Sequence, residues 1–184
     1  MARARIAVVA AVGAGLVLAP ASGSARPLTT PRCVAAQLAL RLTAYEAQMT
    51  GEHGWMFALR NGGHAACSLL GYPRARLLDG SGVLPFRYGY GTGSYLPRLR
   101  PRRVVLRPGR SAFVLVVKYR CDRGGTRAAT RIEVTPPGAR APLANRQIAR
   151  RPGDYEYCRG GRSDPGNLLQ ISPVVATPAQ LTRG

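Results

Sequence analysis

The side chains of this 184-residue chain that could do chemistry are four cysteines, two histidines and eight carboxylates. Cys33, Cys67, Cys121 and Cys158 lie too far apart for the close Cys-x-x-Cys pairs from which zinc sites are built, so disulfides are expected and no metal is. Four cysteines allow three connectivities. Sequential pairing, Cys33 with Cys67 and Cys121 with Cys158, is favoured because each staple then closes a loop of similar size, worth roughly 3 to 4 kcal/mol by the chain-entropy model. Paired cysteines leave no thiolate nucleophile. A catalytic serine lacks the Gly-x-Ser-x-Gly turn that would present it, since Gly109-Arg110-Ser111-Ala112-Phe113 and Gly161-Arg162-Ser163-Asp164-Pro165 both miss the closing glycine. His53 and His64 sit beside glycines in turn-like segments and are expected to be solvated. The close acid pairs are Glu46 with Glu52 and Asp154 with Glu156. Asp154 and Glu156 alternate with Tyr155 and Tyr157, which puts both carboxylates on one strand face, but among so many arginines they are expected in salt bridges and not in glycoside hydrolysis. No phosphate loop, dinucleotide loop or His-Glu-x-x-His is present. The expectation is therefore no catalytic residue and no cofactor.

Binding chemistry is better represented. The segment from Pro85 to Pro97 interleaves Phe86, Tyr88, Tyr90 and Tyr95 with glycine and runs into Arg98, Arg100, Arg102 and Arg103. Flat rings beside a cationic edge suit sugar rings or a polyanion. Guanidinium groups at alternate positions of an extended segment fall on one face, a stripe that can track phosphates or carboxylates. Tyr88, Tyr90, Tyr95, Arg98, Arg100, Arg102 and Arg103 are the candidate ligand-binding residues.

Those residues belong to a strongly basic chain, with 27 Lys and Arg against 8 Asp and Glu. Lys118 is the single lysine, a skew that fits GC-rich coding as well as selection for bidentate anion contacts. The charge draws polyanions whichever cause produced it. Arg3 and Arg5, the apolar run Ile6 to Leu18, and the small residues Ala19-Pro20-Ala21 or Gly23-Ser24-Ala25 form a secretory leader over residues 1–25. The run is shorter than the ~20 residues of a membrane span. Removing Arg3 and Arg5 lowers the net charge from +19 to +17. Export suits disulfides and takes the chain away from the genome, and no nucleic-acid motif is present, so nucleic acid is not expected as a physiological partner.

The elements that must position these residues read as strands. Residues 26–32, with Pro27 and Pro31, form a linker. Gln37 to Thr43 and Trp55 to Arg60 alternate apolar and polar residues, and Asn61-Gly62 is a strong hairpin signal with Ala65 to Leu70 as the returning strand. Arg74 to Leu78 precedes the turn Asp79-Gly80-Ser81-Gly82, and Arg103 to Leu106 precedes Arg107-Pro108-Gly109. Ala112 to Tyr119, apolar on both faces, is the central core strand. Arg131 to Thr135 stops at Pro136-Pro137-Gly138, Ala139 to Gly166 reads as loops tied down by Cys158, and a last strand covers Leu168 to Ile171 and Val174 to Ala176 with a break at Pro173. Seven to nine short strands with Gly and Pro turns define an all-β chain, an antiparallel immunoglobulin-like β-sandwich over residues 33–176, with residues 177–184 as a tail.

Several of these pieces occur together in a known family. Phe57-Ala58-Leu59-Arg60-Asn61-Gly62-Gly63-His64-Ala65-Ala66-Cys67-Ser68-Leu69-Leu70-Gly71-Tyr72-Pro73 resembles the hallmark of secreted actinobacterial proteins of the domain of unknown function 4232: an apolar strand, an Asn turn, a Cys, then Leu-x-Gly-Tyr-Pro. Val104-Val105-Leu106-Arg107-Pro108-Gly109-Arg110-Ser111-Ala112, then Cys121, the Ile132 to Gly138 segment and Cys158, follow in the family's order. The resemblance implies a secreted or envelope-attached domain with two disulfides and implies no reaction. Many members are lipoproteins, whereas this chain lacks the lipobox cysteine. Taken together, the expectation is a secreted, non-catalytic binding module associated with the cell envelope through an anionic wall polymer. A secreted hydrolase of unrecognised type and a structural partner of another exported protein are the alternatives.

Overall fold

A computed structural model describes residues 29–46, 51–91, 96–150 and 155–182. Residues 1–25, expected from the sequence to be a leader, and most of the expected linker lie outside them. Thirteen strands follow in chain order: β1 Leu38–Glu46, β2 Glu52–Asn61, β3 Cys67–Leu69, β4 Arg74–Asp79, β5 Gly82–Val83, β6 Arg87–Tyr90, β7 Val104–Leu106, β8 Ser111–Tyr119, β9 Gly125–Ala128, β10 Arg131–Thr135, β11 Leu143–Asn145, β12 Glu156–Cys158 and β13 Leu168–Ile171. One short helix, α1, spans Ala179–Thr182. The five-stranded sheet runs β1-β2-β8-β13-β6, the four-stranded sheet β11-β10-β4-β5, and β12-β9 and β3-β7 form two-stranded ribbons. All pairings are antiparallel except β13 with β6, which is parallel.

The period-2 alternation of the strands builds the core. Trp55 and Phe57 of β2, Val114 and Val116 of β8, and Leu169 and Ile171 of β13 point to one side of the five-stranded sheet. There they meet Ala75 and Leu77 of β4 and Ile132 and Val134 of β10. The chain is thus all-β, two sheets packed face to face, with Trp55 stacked against Tyr155 at a centroid distance of 4.0 Å. β8 is the middle strand and is buried on both faces. Its other side, Leu115 and Val117, packs with Met56, Leu96, Val175 and Leu181, which explains why its sequence is apolar without alternation. Leu181, in the segment read as a tail, is fully buried.

The disulfides join Cys33 to Cys67 and Cys121 to Cys158. The first sits in a third apolar cluster with Leu59, Leu69, Val104 and Leu106. It ties the entry of the domain to the β3-β7 ribbon.

Asn61-Gly62 does not close a hairpin. A two-residue type I′ turn needs positive φ at both central residues, and neither Asn61 nor Gly62 has it. The Asn61 side chain instead accepts from the Gly63 amide at 2.9 Å and donates to the Ala65 and Leu106 carbonyls at 2.9 and 3.0 Å. It steers the chain out of the sheet, and β2 pairs with β8 while β3 pairs with β7. Arg107-Pro108-Gly109 does turn as its residues require: the Arg110 amide donates to the Arg107 carbonyl at 3.0 Å, with Gly109 at φ 77°. Residues 139–166 contain β11, β12 and short 3-10 turns as well as loops. Val174 to Ala176 contributes a single bridge, Val175 with Phe113.

Candidate functional site

The arginine segment lies between β6 and β7. Pro97 and Pro101 cannot donate to a ladder, and residues 97–103 pair with no strand. The segment is held from beneath by buried Leu96 and by Leu99, both in the cluster over the outer face of β8. Tyr72 donates its hydroxyl to the Leu99 carbonyl at 3.4 Å, and Arg103 donates from Nη1 to Ser68 Oγ at 2.9 Å. With the leucines anchored, Arg98, Arg100 and Arg102 stay exposed, while Arg103 is drawn toward the buried Ser68.

They line one open groove. Arg98, Arg100, Arg102 and Arg103 share the lining of a cavity of about 470 Å³ with residues 174–176 and Gln180 of α1. All four residues are exposed, and none has an ion pair among the described residues. Three arginines elsewhere do find carboxylates. Arg127 holds Asp79 through two hydrogen bonds of 2.6 and 2.8 Å, Arg76 reaches Glu133 at 2.6 Å, and Arg131 reaches the same carboxylate at 3.3 Å. The hydrogen bonds from Arg127 hold the Asp79 carboxyl down at about 2. The groove is therefore a concentration of cations that the fold does not neutralise.

The candidate tyrosines do not share this groove. Tyr88 pairs with Leu169, so alternation turns it toward the main core. Its hydroxyl is buried and burial raises its pKa. Tyr90 is 40% exposed and packs edge-on against Tyr72 at 5.8 Å, so it reaches the groove only through the bond from Tyr72 to Leu99. Tyr95 lies outside the described residues, as does Asp154. His53 Nδ1 is 2.9 Å from the Tyr45 hydroxyl, and His64 is exposed on a turn. Among the described residues no group of three His, Cys, Asp or Glu could hold a metal ion.

One residue of chemical interest shows in the sequence only as half of a close acid pair. Glu52, the first residue of β2, is 2% exposed, and neither carboxyl oxygen has a hydrogen-bond partner. Burial lifts its pKa from 4.5 to about 7. The available signal was phase: Glu52 is in step with Met56, on the opposite side of β2 from Trp55 and Phe57, and that side is buried too. The part of Val174 to Ala176 in the groove carried no comparable signal, because these residues lie more than seventy positions beyond the arginines.

Fold and site together define an all-β, doubly disulfide-bonded domain that carries a cationic groove. The chain belongs to the family described as Domain of unknown function (DUF4232), whose model matches residues 33–173. No curated protein and no solved structure is detectably similar to it.

Proposed function

We propose that this protein is a secreted, non-catalytic binding module that associates with the cell envelope through anionic polymers held by Arg98, Arg100, Arg102 and Arg103. The observation that carries the reading is the four guanidinium groups lining one groove without a counter-ion, in a fold that pairs Arg76, Arg127 and Arg131 with carboxylates. Guanidinium groups offer forked donors that match phosphate and carboxylate oxygens, and an unpaired set of them is attractive to a chain of anions. Support for export comes from the leader-like N-terminus and from two disulfides, which persist in oxidising compartments. Among the described residues no helix is long and apolar enough to cross a membrane.

The test is retention of the protein on isolated cell-wall and membrane fractions across a salt titration, with wild type against a variant carrying Arg98→Gln, Arg100→Gln, Arg102→Gln and Arg103→Gln. Polyanion contacts release counterions, so wild-type retention should fall steeply with salt. The variant should lose roughly three to four from the log–log slope if all four arginines touch anions. Equal slopes for the two proteins would refute the reading.

A further inference from the structure

Arg103 also lines a second, smaller cavity. It has a volume of about 70 Å³ and is formed by Arg32, Ser68, Leu70, Arg103, Pro137 and Gly138. The backbone brings its two arginines to Ser68 from either side of β3. Arg32 forms a parallel bridge with Ser68, and Arg103 immediately precedes β7, which sets Val105 opposite Ser68. Both arginines are exposed, and neither has an ion pair among the described residues. Ser68 orients one of them. Its hydroxyl donates toward the Thr30 and Pro31 carbonyls at 3.3 Å, and its oxygen accepts from Arg103 Nη1 at 2.9 Å. Arg103 is thereby held at the cavity with the other N–H groups of its fork still available. Arg32 lies along the Pro137-Gly138 turn, where a Cβ added to Gly138 would be 3.4 Å from its Cδ and Nη1. No Asp or Glu is among the described residues of the lining.

The cavity thus gathers two guanidinium groups from separate segments around a space with room for about two waters. A sugar ring is too large for it. A carboxylate fits, but its oxygens are matched by a single guanidinium fork. A phosphate monoester brings three acceptor oxygens and a charge of about −1.5 to −2, enough to engage both forks at once. A phosphodiester linkage inside a polymer offers fewer free oxygens and a smaller charge. Building on the anion-binding reading of Arg103, we infer that this cavity is a site for a phosphate monoester, clamped between Arg32 and Arg103. Because Arg103 also lines the larger groove, a polymer lying there would be read at a phosphorylated end.

The test is calorimetric titration of the purified protein, in low salt at about pH 7.5 where a monoester is mostly doubly ionised, with methyl phosphate, dimethyl phosphate, acetate and inorganic phosphate. A charge-assisted hydrogen bond is worth roughly 10- to 100-fold in affinity, so methyl phosphate should bind at least ~10-fold tighter than dimethyl phosphate or acetate. Arg32→Gln should weaken methyl phosphate by ~10-fold or more. Arg32→Lys keeps the charge without the fork and should recover little of that loss. Arg123→Gln, beyond the opposite end of β8, should leave binding unchanged. Both positions are exposed, so the fold should tolerate all three changes. Equal losses from Arg32→Gln and Arg123→Gln would overturn the site in favour of the general positive field of the chain. Equal affinity for methyl and dimethyl phosphate would overturn the monoester, and so would binding of inorganic phosphate without binding of methyl phosphate. Wall retention separates this inference from the reading beneath it. Retention that depends on the four groove arginines, with methyl phosphate indifferent to Arg32, would overturn the phosphate site alone. Methyl phosphate binding that depends on Arg32, with no wall retention, would support the site and overturn the envelope reading.

Discussion

Glu52 makes stability depend on pH in a window where an ordinary carboxylate would not. Its side chain is 2% exposed, and both oxygens lack a donor, so the folded protein prefers the neutral acid. Burial lifts its pKa from 4.5 to about 7. The native state therefore keeps a proton between these values that the unfolded chain has already released, and stability must fall as pH rises through that interval. At about 1.4 kcal/mol per pH unit, the full effect is roughly 3 kcal/mol, a large share of the 5 to 15 kcal/mol typical of a domain. Guanidinium denaturation of wild type and Glu52→Gln at intervals from pH 4.5 to 8 measures it. Wild type should lose roughly 2 to 3 kcal/mol over this range relative to the variant, and the variant should be the more stable protein at pH 8. The slope is the decisive quantity, because glutamine cannot titrate and any fixed packing cost of the substitution cancels from it. Parallel pH curves for the two proteins would refute the reasoning and mean that Glu52 is ionised and solvated at neutral pH.

Asp79 acts in a separate window: Arg127 holds it at about 2, so its contribution is present above pH 4 and is lost as pH falls toward 2. Asp79→Asn should flatten the acid limb of the same denaturation series and leave the neutral limb alone. Replacing Cys33 and Cys67 together by alanine should cost roughly 3 to 4 kcal/mol, read as a lowered denaturation midpoint, and so should replacing Cys121 with Cys158. At Gly166 an added Cβ would lie 2.5 Å from Cys158 Sγ and 2.7 Å from the Arg120 carbonyl oxygen, so Gly166→Ala should destabilise by about 1 to 3 kcal/mol. Relief of part of that penalty in a background lacking the Cys121–Cys158 bridge would identify the sulfur as the obstacle. Phe57→Ala, at the centre of the main core, should cost roughly 3 to 5 kcal/mol.

The strands that alternate were legible because alternation is a property of the strand itself: Leu38, Leu40 and Leu42, then Trp55, Phe57 and Leu59, face the interior as their spacing requires. The unbroken run Ala112 to Tyr119 announced a strand covered on both faces. Pairing partners were not legible at Asn61-Gly62. The dipeptide favours a hairpin locally, but Asn61 finds three hydrogen bonds by folding its side chain over residues 63–65 and Leu106, and β2 gains β8 as a neighbour. The arginines could be seen to alternate, and the groove could not, because its second wall comes from a distant segment whose one sheet contact is the Val175 bridge. Tyr88 looks available in the sequence because it sits between Arg87 and Gly89 in a run that alternates aromatics with glycine. Register with Leu169 is what turns it inward.

The position of Leu181 has a consequence for how the molecule is made. It closes the apolar cluster over Met56, Leu115 and Val117, while β13, at Leu168–Ile171, is the last strand to enter the five-stranded sheet. A chain that emerges from its N-terminus first can form β1 and β2 early, yet the outer side of the sheet's middle strand is not fully covered until Leu181 has appeared. The domain therefore has no complete shorter version of itself.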